Sequence, residues 1–140
     1  MNNLYSDNAN KTNGYSNNNL HHGPGPGLMG SSSINGNDVY NRQGESLGDI
    51  KEIMLDMHNG RVSYAVLSFG GFLGMGDKLF AVPWSALTLD TVNKRFTLDV
   101  EKTRLESAPG FDKDSWPNMA DPTWAHSIHA YYGTKPYLTE

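Results

Sequence analysis

Two apolar stretches meeting at Asn59-Gly60 constrain this chain more than any other feature. Asn-Gly supplies two adjacent residues that tolerate φ > 0, the requirement of a type I′ hairpin turn, so residues 50–57 and 61–69 are expected to run antiparallel. In the first stretch Ile53, Leu55 and Met57 fall on one face at a period of two, with Glu52 and Asp56 on the other. The returning stretch is apolar on both faces: Val62, Tyr64 and Val66 on one, Ala65, Leu67 and Phe69 on the other. Residues 79–84 are two-sided as well, and Pro83, which cannot donate to a ladder, belongs at an edge or bulge. Strands buried on both sides need a cover besides the interior of their own sheet. The C-terminal segment, a second subunit, or both are expected to supply it.

Other short strands complete an all-β reading. Val39-Tyr40 precedes a turn over residues 41–44, and Phe96, Leu98 and Val100 alternate inward. One helix is expected near the C-terminus, with Asp121 as N-cap, Pro122 in its first position and Gly133 just past its end. Trp124, Ile128 and Tyr131 then share a face. Three regions follow: a tail over 1–28, a barrel over 29–105, and a C-terminal extension over 106–140 packing on the barrel. Residues 1–27 hold eight Asn and four Gly with only Asp7 and Lys11 charged. Such a segment cannot offset backbone entropy by burial and reads as disordered.

Composition removes several function classes. With no cysteine, thiol catalysis, disulfides and cysteine-zinc sites are excluded. A net charge of -4 counts against nucleic-acid binding through phosphate neutralisation. No uncharged run reaches the roughly 20 apolar residues of a membrane-spanning helix, and residues 1–7 lack the apolar core of a signal peptide, so a soluble cytoplasmic protein is expected.

Chemistry-bearing motifs are sparse. The stretch FGGFLGMGDK at 69–78 has phosphate-loop spacing from Gly71 to Gly76. Asp77, however, stands where the loop needs lysine, and Lys78 is followed by Leu79, with no serine or threonine for magnesium. The stretch reads instead as a turn presenting Phe72, Leu73 and Met75 for protein contact. His126 and His129, three apart on the expected helix, and the pair His21-His22 each lack a third metal ligand with suitable spacing. Asp112, Asp114 and Asp121 lack the glycine and glutamate of a calcium loop. No nucleophile elbow occurs. No catalytic residue, cofactor or metal ligand is assigned. The candidate interaction residues are Phe72, Leu73, Met75, Asp77, Lys78, Trp84, Trp116, Trp124 and Tyr131.

Three runs together resemble the PRC-barrel family: VYNRQGESLGDI at 39–50, GRVSYAVLS at 60–68 and KLFAVPWSAL at 78–87. The extension over 108–133 is similar to the tail of small stand-alone bacterial members. The resemblance implies a small six-stranded β-barrel, as in the H subunit of photosynthetic reaction centres and the C-terminal half of a ribosome-maturation factor that binds a ribosomal protein. It also implies a barrel that binds other proteins; together with the strands buried on both faces, the reading is a non-enzymatic module that self-associates, as a homodimer, and docks on another protein. A small-molecule or metal-binding barrel and an adaptor in photosynthesis or ribosome assembly are the alternatives. Since residues 1–28 carry no apolar periodicity, their deletion is expected to leave the melting temperature nearly unchanged in a calorimetric scan.

Overall fold

Six strands form a single sheet in the computed structural model, which describes residues 27–70 and 78–136. The chain divides into two units, Met1–Gly36 and Asn37–Glu140. The first contains, among its described residues, the one-turn helix α1 (Ser31–Ile34). The second holds β1 (Asp38–Tyr40), β2 (Ser46–Asp56), β3 (Arg61–Phe69), β4 (Lys78–Pro83), β5 (Leu87–Asp90) and β6 (Arg95–Leu98). Two helices follow, α2 (Lys102–Glu106) and α3 (Pro122–Tyr132). The strand order is β4-β3-β2-β1-β6-β5. Every pairing is antiparallel except β1 with β6.

The connections make this sheet curl. β4 and β5 stand at opposite ends of the order, yet only the 3-10 turn Trp84–Ala86 separates them. Three residues span at most about 10 Å, so the two ends must approach each other and the sheet becomes a partly closed barrel. Its interior is lined by Ile50, Leu67 and Phe80, which stand opposite one another on β2, β3 and β4, and by the pair Val39 and Phe96. All five are buried.

The β2–β3 hairpin forms where Asn59-Gly60 places it, but its turn differs from the expected one. The loop has four residues, closed by Asp56 pairing with Arg61, and only Gly60 has positive φ. A type I′ turn needs two such residues. Here the Asp56 carboxylate accepts from His58 N–H, the Asn59 side chain accepts from Arg61 N–H, and Gly60 N–H donates to the Asp56 carbonyl. Side-chain oxygens thus do locally what a tight turn would have done through the backbone.

The strand face read from Ile53, Leu55 and Met57 is not a core face: none of the three is buried. Register shifts interrupt the β2–β3 ladder between Ile50 and Glu52 and again between Met54 and Leu55. Each bulge offsets the pleat, so the simple alternation fails. Leu47 and Ile50 are buried and Met54 packs against the outer cluster, while Leu55 and Met57 are 54% and 83% exposed.

The second face of β3 is covered from within the chain. Tyr64, Ala81 and Ile128 of α3 form a buried cluster, with Met54, Phe111, Met119, Trp124 and Tyr132 packed against it. The helix has the caps its sequence called for: Asp121 accepts from Thr123 N–H, Pro122 begins the first turn, and Gly133 ends it at φ 73°. The residue that accompanies Trp124 and Ile128 is Tyr132, not Tyr131, which turns toward α2. Gly110 brings the segment before α3 onto β4, since a Cβ there would lie 2.8 Å from the Leu79 carbonyl oxygen. The neighbouring Phe111 exchanges two backbone hydrogen bonds with Leu79, both 2.9 Å. The outer edge of β4 is paired at that point.

β5, α1 and α2 had no distinct sequence signal. The β5–β6 turn holds Lys94 at φ 58°, and the Asp90 carboxylate accepts from the N–H groups of Val92 and Asn93. Gly48, inside β2, has φ 104°, and a Cβ there would collide with the Ser68 carbonyl on β3. Gly48→Ala is therefore expected to cost about 3 kcal/mol or more, combining a forbidden conformation with a backbone clash. Gly60→Ala meets open space at φ 76° and should cost about 1 kcal/mol. Urea denaturation of the two variants checks the difference.

Candidate functional site

Of the sequence-derived interaction residues, Lys78, Trp84, Trp116, Trp124 and Tyr131 lie among the described residues, spread from β4 to α3. Phe72, Leu73, Met75 and Asp77 lie outside the described residues. Trp84 is partly buried at the turn joining the sheet's two ends, its ring 5.6 Å from Phe96. Trp124 meets Tyr64 edge to face at 5.2 Å and belongs to the α3–sheet contact. Lys78 donates to the Glu106 carbonyl at 3.3 Å and lies over the Phe80 ring. Trp116 is 41% exposed; it tilts onto Phe111 and donates through Nε1 to the Lys113 carbonyl. Among the described candidates, Trp84, Trp124 and Lys78 make contacts within the chain, and Trp116 is the exposed aromatic.

The two helix histidines have unlike surroundings. His126 is exposed. His129 is buried, its ring 5.7 Å from Tyr64 and its Nδ1 2.8 Å from Thr134 Oγ1. Among the described residues no three histidine, aspartate or glutamate side chains gather as a metal-ligand group. Burial, and secondarily the neighbouring His126, hold the His129 imidazole below its usual pKa.

Tyr131 builds a different feature. Its hydroxyl donates to the Arg104 carbonyl, the Arg104 guanidinium donates back to the Tyr131 carbonyl, both at 2.6 Å, and the guanidinium stacks 4.1 Å above the ring. This reciprocal clamp joins α2 to the end of α3 and forms one wall of a cleft of about 560 Å³. Gln43, Leu98, Asp99 and Glu101 line it as well. The nearby Tyr132 hydroxyl is buried with no hydrogen-bond partner among the described residues, and burial pushes its pKa up. Arg104 was not singled out from sequence, because one arginine on a five-residue helix carries no motif.

Among the described residues, two of the exposed large apolar side chains, Leu55 and Met57, lie together at the end of the β2–β3 hairpin. Leu55 and Val62 stand opposite each other beyond the second bulge, and Met57 begins the loop. Clean alternation conceals this, because the same apolar pattern describes a strand whether or not a core lies beneath it.

A family model described as PRC-barrel domain matches residues 26–105, more than half of the chain. The chain belongs to the PRC-barrel family. The matched region contains all six strands, whereas α3 follows it. No curated protein matches this PRC-barrel chain. Among solved structures it is similar to a putative 16S ribosomal RNA processing protein, RimM, from Pseudomonas aeruginosa, at 15% identity and a TM-score of 0.37. That match covers 56% of this chain and 46% of the other, so the chain spans less than half of RimM's length. No described helix is long and apolar enough to cross a membrane.

The depressed pKa of His129 sets a pH dependence. The unfolded chain takes up this proton near pH 6.5, above the pH at which the folded chain does, so stability present above that value is lost as pH falls through it. The carboxylates of Asp56 and Asp90, lowered chiefly by hydrogen bonds from His58 and Asn93 respectively, act in a separate window below about pH 4. Melting temperature is expected to decline from pH 7 to pH 5, and His129→Gln should make that decline shallower.

Proposed function

We propose that this PRC-barrel chain is a non-enzymatic protein-binding module that self-associates, as a dimer, and docks another protein through the end of its β2–β3 hairpin. The exposure of Leu55 and Met57 carries the reading. Apolar side chains grouped at a projecting hairpin end gain free energy when a partner covers them, about 25 cal/mol per Å² removed from water. A second copy would present the same two side chains, as a two-fold interface requires.

The cleft beside Arg104 supports the proposal less well. The guanidinium already serves Tyr131, and Asp99 and Glu101 oppose its charge within the same space. Two-sided burial of β3 does not argue for a dimer either, because α3 supplies the cover. Residues 71–77 remain part of the proposal on their sequence, with Phe72, Leu73 and Met75 as apolar contacts. Trp116 is a further exposed candidate.

Light scattering after size exclusion tests the reading on the full chain. The wild type is expected to run as a dimer at micromolar concentration. Leu55→Ser with Met57→Ser should shift it toward monomer while the melting temperature changes little, since exposed positions contribute little to the fold. Phe72→Ser with Leu73→Ser reports whether the loop shares the contact. A wild type that stays monomeric at high concentration would sink self-association.

A further inference from the structure

Three Asn-Gly pairs occur in the sequence, at 13–14, 35–36 and 59–60, the first outside the described residues. This dipeptide undergoes spontaneous deamidation. The glycine N–H gives up its proton to a base, the nitrogen attacks the asparagine Cγ, and ammonia leaves to form a succinimide. Water then opens the ring to aspartate or isoaspartate. Reaction requires the glycine nitrogen to be free and the side chain to turn toward it, so identical sequences react at rates set by their surroundings.

At Asn59-Gly60 both groups are engaged. Gly60 N–H donates to the Asp56 carbonyl at 2.8 Å, and Asn59 Oδ1 accepts from Arg61 N–H at 2.9 Å. The first bond occupies the nucleophile; the second holds the side-chain carbonyl against the amide one residue too far along. Both must break before the ring closes, and the loop is anchored between paired strands by the Asp56–Arg61 register. At Asn35-Gly36 the Asn35 N–H caps the single turn of α1 by donating to the Ser31 carbonyl at 3.0 Å. Gly36 N–H and the Asn35 side chain, by contrast, make no hydrogen bond among the described residues. Both residues are exposed, and nothing lies within 4 Å of a Cβ at Gly36.

We infer that Asn35 is a site of spontaneous deamidation in the folded protein, and that the hairpin loop protects Asn59 although its sequence is equally susceptible. Conversion at residue 35 adds one negative charge just before β1 and, in the isoaspartate form, lengthens the backbone by one carbon. The β2–β3 hairpin end keeps its covalent structure over the same time.

The full chain, incubated in mildly alkaline buffer with and without denaturing urea, tests this by quantifying aspartate and isoaspartate peptides at each site by mass spectrometry. Rates at Asn35 are expected to agree within about threefold between the folded and unfolded chain. At Asn59 the folded chain should react about tenfold or more slowly, as two broken hydrogen bonds require. Equal rates at Asn59 in both states, or protection of Asn35 as strong as that of Asn59, would overturn the assignment.

Discussion

The parallel seam between β1 and β6 is the contact on which the rest of the structure depends. Without it the chain holds two separate local assemblies, the β1–β4 meander and the β5–β6 hairpin. The seam is short: Val39 pairs with Phe96 and Tyr40 with Thr97. Parallel pairing is also slightly the weaker kind per residue, so side chains must reinforce it. Asn41 does so. It is only 2% exposed, and its amide donates to the Glu45 carboxylate and to the Val100 carbonyl 59 residues away, while its oxygen accepts from the N–H groups of Gln43 and Glu45. The Arg95 guanidinium, 4.0 Å over the Tyr40 ring, adds a second tie. A buried amide with this many partners specifies one register, because a slipped register would leave its polar atoms unpaired.

Once the seam is made, β3 and β4 lie with one face on the interior and the other outward. The C-terminal segment completes them through the Phe111–Leu79 bridge, the close approach of Gly110 and the seating of Ile128 against Tyr64 and Ala81. Ile128 is 1% exposed, a burial that contributes about 2 kcal/mol. The edge-to-face contact of Trp124 with Tyr64 adds about 1 kcal/mol. Because one chain covers both faces, any partner must use other surface. That shifts attention from the broad sheet face to the hairpin end.

Much of the candidate site was hidden from sequence reading for a common reason. Aromatic residues mark places of high burial, but not what buries them: Trp84 and Trp124 turn out to meet Phe96 and Tyr64 of the same chain. The period of two that puts Leu55 and Met57 on one face with Ile53 says nothing about whether anything covers that face, and both are exposed. The Arg104–Tyr131 clamp depends on two residues 27 positions apart, and neither carries a motif.

Local chemistry by itself settled those elements whose determinants are contiguous. The β2–β3 hairpin, the two-sided strands and the ends of α3 follow from Asn59-Gly60, from apolar runs, and from Asp121, Pro122 and Gly133, each acting on its immediate neighbours. The three runs that resemble the PRC-barrel family carried the fold class. Tertiary structure alone decided the parallel seam, the burial of Asn41, the two bulges in the β2–β3 ladder, the choice of Tyr132 over Tyr131 against the sheet, and the close approach at Gly48. Each of these is a relation between distant segments, and its free energy exists only when both are in place, so no window of sequence contains it.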